Sequence, residues 1–206
     1  ETDVPYYTQA LGRDETAIIG EKDTKRLASL TIEWGRLSIS SRITGYEKKN
    51  IFDRTRLSRH ELVMPEYLFE TEGLWIALDD RILNAIDAHG FDLAGSMHAV
   101  EHASIACMPL FSLCDKGDIG GLSYTLYPGL KKPVIFVYDG HEGGIGLTRR
   151  AFDVADEWLR TALAIITECG CDSGCPACVQ DPQCGSGNQP LDKEGAEFIL
   201  RKWTDS

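Results

Sequence analysis

Five of the seven cysteines fall within sixteen residues, the stretch CGCDSGCPACVQDPQC from Cys169 to Cys184. Thiols this dense, separated by Gly, Pro and Asp, force short loops to converge. Soft sulfur ligands on such loops favour a tetrahedral metal knuckle, with zinc as the best-fitting ion. Cys175-Pro176-Ala177-Cys178 is a CxxC, which can wrap so that both sulfurs reach one ion. Cys171 precedes it by four residues and Cys184 follows it by six. A CxC pair strains to chelate one tetrahedral ion, so Cys169 and Cys171 compete for the first position. The spacing favours Cys171, Cys175, Cys178 and Cys184. Four thiolates close the coordination sphere, so the expected Zn2+ is structural rather than catalytic.

Other uses of these sulfurs fit less well. A thioredoxin-like pair needs a strand before the CxxC and a helix directly after it; here another cysteine-bearing loop follows. An iron–sulfur cluster also takes four cysteines, and a disulfide framework would use an even number in an oxidising compartment. The odd count and tight spacing favour metal and a reducing, cytoplasmic setting. A chain of 206 residues can bury a core without relying on the knuckle alone. It begins at Glu1, which reads as a piece of a longer protein. No apolar run reaches membrane-spanning length, and no secretory signal is visible.

Periodicity divides the chain at about residue 78. The first part (1–78) reads as antiparallel β structure. Tyr6-Tyr7-Thr8 and Thr16–Ile19 are short strand candidates. Leu27–Tyr46 alternates apolar and polar residues around Gly35, a hairpin or bulge position, and Tyr67–Leu78 is again extended. The second part (79–206) is mixed. Asp79 or Asp80 caps a helix that Gly90 ends. A second helix runs from Leu93 towards Leu113, with Pro109 kinking or restarting it. Strands follow at Gly121–Tyr127 and Pro133–Tyr138, the latter apolar enough to be buried on both faces. Leu147–Thr167 is helical by its apolar repeat, and a closing helix begins near Leu191-Asp192. The expected fold class is α+β: an antiparallel β region, then a mixed α/β part with a four-cysteine zinc knuckle between helices.

Net charge is −11, unevenly spread. Residues 1–60 hold 11 Lys+Arg against 9 Asp+Glu, whereas the remainder holds 10 against 23. Phosphate neutralisation supplies most nucleic-acid affinity, so only the basic cluster of Arg36, Arg42, Lys48, Lys49, Arg54, Arg56 and Arg59 is a candidate DNA contact. Trp34, Tyr46 and Phe52 lie among these residues and could stack bases.

Two further patterns carry chemistry. His98-Ala-Val-Glu101-His102 is an HxxEH, which on a helix places both histidines on one face with an acid beside them. A metal-dependent hydrolase would need a third ligand, for which Glu142 is available only by arithmetic. Partly buried histidines bonded to neighbours are the simpler reading. Asp139–Gly146 (DGHEGGIG) joins a strand to a helix, but its acids disfavour phosphate, and no Walker A motif occurs anywhere.

Four segments in order carry a resemblance. They are His98–His102 with Pro109-Leu110-Phe111; Cys114-Asp115 to Gly120-Gly121; Ile135–Asp139 with Gly143, Gly144, Gly146 and Leu147; and Cys171–Gly185 with Asn188 and Pro190-Leu191-Asp192-Lys193. Together they resemble the zinc-binding C-terminal domain of MrfA-type (mitomycin repair factor) DNA helicases of superfamily 2. The resemblance implies an ATP-driven DNA-repair helicase as parent, with ATP bound only in motor domains outside this chain. It implies those motor domains and single-stranded DNA as partners, and no activity for this chain alone. The family's cysteines map onto Cys171, Cys175, Cys178 and Cys184, leaving Cys169 surplus. Glu142 stands where relatives often carry a small residue. The alternative is an acidic, zinc-stabilised protein–protein module.

Overall fold

The structure is a computed structural model that describes residues 4–27 and 30–204. Glu1, and Ala28 and Ser29 within the extended run, lie outside them. Six strands form one sheet: β1 (Tyr6–Leu27), β2 (Leu30–Asn50), β3 (Arg56–Glu61), β4 (Tyr67–Ala77), β5 (Ile119–Tyr127) and β6 (Lys132–Asp139). Their order is β1-β2-β4-β6-β5, with β3 also paired to β2, and all pairings are antiparallel. The sheet draws strands from both sides of residue 78, because β4 pairs with β6.

The two first strands are longer than the sequence pattern suggests. The short candidates around Tyr6 and Thr16 merge into one 22-residue strand. Gly35 is no hairpin; it lies inside β2, opposite a register shift between Ile19 and Lys22 of β1. A Cβ at Gly35 would stand 2.8 Å from the Glu21 carbonyl oxygen. The missing side chain therefore makes room for the bulged backbone across from it.

The described residues also form five α-helices: α1 (Asp80–His89), α2 (Leu93–Ala106), α3 (Leu147–Asp153), α4 (Ala155–Glu168) and α5 (Lys193–Thr204). Asp79 caps α1 by accepting the Ile82 amide, and Gly90 ends it in the left-handed region. α2 stops at Ala106, and Pro109 opens a separate short 3-10 turn. The expected Leu147–Thr167 helix is broken at Val154. Lys25 of β1 explains the break: its ammonium donates to the Phe152 and Asp153 carbonyls at 2.6 and 2.7 Å, satisfying groups that a continuous helix would use.

Alternation along the strands makes two cores. Leu74, Ile76, Ile135 and Val137 face the helices, meeting Met97, Val100, Trp158, Leu159, Ile199 and Trp203. Trp75, Val134 and Phe136 point the other way, joining Leu37, Ile39 and Tyr127. This second core exists because the sheet curls until β1 lies alongside β5. Tyr124 and Tyr127 hydroxyls accept the Thr16 and Ile18 amides at 2.9 and 3.2 Å, filling the free edge of β1.

α2 and α5 pack closely because two glycines allow it. A Cβ on Gly195 would fall 1.9 Å from Ser96 Oγ, and one on Gly95 would fall 2.9 Å from the Asp192 amide nitrogen. Asp192 locks this junction by accepting the Gly195 amide through Oδ1 and the Asp92 amide through Oδ2.

Candidate metal centre

α4 ends at Glu168, and Cys169 continues in extended backbone. That geometry brings four sulfurs together. Cys169 Sγ lies 3.6 Å from Cys171 Sγ and 3.5 Å from Cys175 Sγ. Cys178 Sγ lies 3.5 Å from Cys171 Sγ and 3.9 Å from Cys175 Sγ. Zinc–sulfur bonds of about 2.3 Å at tetrahedral angles require sulfurs about 3.8 Å apart. The four separations bracket that edge and are far longer than a disulfide, so the donor set fits a tetrahedral Zn2+.

The surroundings favour thiolate. Cys178 Sγ accepts the Cys175 amide at 3.3 Å. Lys193, at the start of α5, is buried with its ammonium 3.4 Å from Cys171 Sγ; it also donates to the Cys169 and Cys171 carbonyls. For Cys171, burial opposes ionisation, but hydrogen bonds from Cys178, Cys169, Cys175 and the Gly174 backbone win and hold the thiol low. Burial and the neighbouring sulfurs push Cys178 up, despite the Cys175 amide. Without a cation, four close sulfurs do not all ionise; a dication is what their chemistry calls for.

This set differs from the one that spacing favoured. Cys171, Cys175 and Cys178 come together with Cys169, and both members of the CxC pair converge. Cys184 is carried elsewhere. Val179 is fully buried in the core and its carbonyl is bonded 2.7 Å from His102 Nδ1, which turns the chain towards α2. Cys184 Sγ then lies 3.4 Å from His98 Nε2, and its donor atom and those of His98 and His102 lie within 4.8 Å of one another. Burial opposes the Cys184 thiolate, but bonds to His102, His98, Ser186 and the Asn188 amide lower it to about 4. Glu101, buried between α2 and β5, is pushed up to about 7 by desolvation, against the pull of the two histidines. Sequence reasoning noted the HxxEH but missed Cys184 as its neighbour; 86 residues separate Cys184 from His98. Glu142 sits in the exposed turn after β6.

The basic cluster maps onto β2, β3 and the turn between them, and much of it is neutralised locally. Arg36 pairs with Glu70 at 2.9 Å and Arg42 with Glu66 at 3.6 Å. Arg56 and Lys49 both reach Glu47, and Lys48 lies over the Tyr6 ring. Arg54 occupies the turn with φ of 60°. Of the aromatic residues, Trp34 is covered by Arg149 and Tyr46 stacks on His60, whereas Phe52 is 85% exposed. At the glycine-rich turn, the helix N-terminus already has its anion. Asp139, fully buried, accepts the Ile145, Leu147 and Thr148 amides and the Thr148 hydroxyl.

The family model described as the MrfA Zn-binding domain matches residues 100–179. An uncharacterized protein of Methanocaldococcus jannaschii is 41% identical over 109 residues, covering 52% of this chain and 97% of that protein. The chain belongs to the MrfA Zn-binding domain family. It is also similar to parts of longer proteins. The uncharacterized ATP-dependent helicase YprA of Bacillus subtilis is 24% identical over 87% of this chain, which spans 24% of it. The ATP-dependent helicase HRQ1 of Saccharomyces cerevisiae is 25% identical over 85% of this chain, which spans 17% of it. Among solved structures, the DUF1998 helicase MrfA bound to DNA superposes with a TM-score of 0.65 at 22% identity, over 98% of this chain and 26% of that one. MrfA without a named ligand gives 0.58 at 18% identity, over 91% and 23%. At these identities the structural likeness establishes the MrfA-type fold. Among the described residues, no helix is long and apolar enough to cross a membrane.

Proposed function

We propose that this chain is the zinc-stabilised accessory domain of an ATP-driven DNA helicase that acts in repair. It braces the motor domains and guides single-stranded DNA. The observation that carries the metal part is the Cys169–Cys171–Cys175–Cys178 cluster with Lys193 above it. The ion would be structural: all four positions are sulfur, and it would pin the end of α4 to the start of α5. ATP belongs to the motor domains of the parent, so the chain alone turns over no nucleotide. Binding free energy at such a site is folding free energy. Chelation, or Cys178→Ala, is therefore expected to unfold the segment from Cys169 onward and lower the melting temperature. An unchanged melting curve after verified zinc removal would contradict this.

DNA contact rests on the arm formed by β2, β3 and their turn, through Lys48, Arg54 and the exposed Phe52, with Arg36, Arg42, Lys49 and Arg56 sharing their charge with acids. Lys48→Glu with Lys49→Glu in the full-length protein should weaken binding to single-stranded DNA and flatten its salt dependence. Equal affinity and slope would sink the DNA role of this arm. Those ion pairs, on a chain of net charge −11, favour a second reading, an acidic surface that docks on a basic partner. Retention of the motor domains, but not of DNA, in binding assays would select it.

A further inference from the structure

We propose that His98, His102 and Cys184 form a second metal site, separate from the four-cysteine cluster, suited to Zn2+ held by two imidazoles and one thiolate. Both histidines project from one face of α2, four residues apart, with ring centroids 4.2 Å apart. Their orientation is fixed from behind. His98 Nδ1 donates to the Pro190 carbonyl at 2.8 Å, and His102 Nδ1 donates to the Val179 carbonyl at 2.7 Å. A carbonyl can only accept, so Nδ1 carries the hydrogen in both rings. Nε2 of each ring is then the nitrogen turned towards Cys184, where a metal would take the place of a shared proton. Metal-binding histidines show this arrangement, with the far ring nitrogen donating to a carbonyl or carboxylate.

The third donor is held just as firmly. Cys184 Sγ accepts the Asn188 amide at 3.3 Å and lies 3.1 Å from Ser186 Oγ. Asn188, at φ of 64°, closes this loop by bonding both backbone groups of Asp181. The Cys184 Sγ to His98 Nε2 distance of 3.4 Å compares with about 3.6 Å for a sulfur and a nitrogen sharing a tetrahedral zinc at ordinary bond lengths. A hydrogen-bonded pair alone would explain one imidazole against the thiol; it does not explain two, each with its second nitrogen anchored.

Donor number distinguishes this site from the cysteine cluster. Three protein ligands leave a coordination position, the count found where zinc works on exchangeable ligands rather than only bracing a fold. The same three residues line a cavity of 510 Å³ between α2, β5, β1 and the 181–190 loop, with Glu101, Asp14 and Tyr138 also on its wall. Water or a small anion entering from that cavity is the class of fourth ligand the site would take.

Metal content measures the proposal directly. After saturation with zinc and gel filtration, the chain should carry two zinc ions. Cys184→Ser and His98→Gln should each carry one, and Cys175→Ser should lose the four-sulfur ion and, with the segment that carries Cys184 loosened, hold the second ion weakly or not at all. With cobalt in place of zinc, Cys184→Ser should keep the strong thiolate absorption of the four-sulfur site. One zinc per chain, lost in Cys175→Ser but untouched by Cys184→Ser and His98→Gln, would overturn the second site and leave the first intact. A readout on the unmutated chain guards against variants that do not fold. Iodoacetamide should modify Cys184 about tenfold or more slowly at two zinc equivalents than at one, with the four-cysteine sulfurs protected at both, as mapped by mass spectrometry. Equal rates while the four-cysteine sulfurs are protected would also overturn it.

Discussion

Asp139 shows how much one side chain settles. It ends β6, is fully buried, and its carboxylate accepts three amides and a hydroxyl at the start of α3. Hydrogen bonds to a buried charge are individually strong, and leaving those donors unpaired is costly. Asp139→Ala should lower unfolding free energy by about 3 kcal/mol, and Asp139→Asn by less, because one acceptor oxygen survives. A urea midpoint shift tests both. Tyr127 acts on a smaller scale: losing its hydroxyl strands the Ile18 amide at a part-buried edge. Tyr127→Phe should cost about 1 kcal/mol, read in the same titration.

Helices α2 and α5 depend on absence as much as presence. Gly195→Ala drives a methyl group into Ser96 Oγ, which is itself bonded to the Asp92 carbonyl and has little room to give. Separating the two helices should cost about 1–3 kcal/mol, visible as a lowered thermal midpoint with native spectra below it. Elements set by local chemistry were legible in the sequence: the Asp79 cap, the Gly90 stop, the Pro109 restart and the doubly buried β6. The break at Val154 was not, because it is caused by Lys25, more than a hundred residues away. The metal ligands show the same division. The cysteine density pointed to a knuckle, and Cys171, Cys175 and Cys178, favoured by spacing, lie in the four-sulfur cluster. Cys169 rather than Cys184 joins that cluster because the Val179 carbonyl is bonded to His102 on α2, which no local pattern records.

At the scale of the molecule, one sheet serves two environments. Its middle, around Leu74–Ile76 and Val134–Val137, is covered on both faces and meets the curled edge of β1. Beyond that middle, the end of β2 and β3 are less covered; Leu57 is 52% exposed and Phe52, in the turn between them, more so. The four-cysteine cluster and the proposed His98–His102–Cys184 site lie at the helical side, so stripping metal should loosen the segment from Cys169 onward while leaving the strand arm spectroscopically unchanged. Circular dichroism with site-resolved probes in β3 would separate the two responses.

That uneven cover has a kinetic consequence. Backbone amides are released to solvent by local opening, and opening is easiest where few apolar contacts must break. Deuterium should therefore enter the 45–61 arm early, while the central amides of β4 and β6 wait for global unfolding. Opening of the arm should thus leave the body that holds it intact.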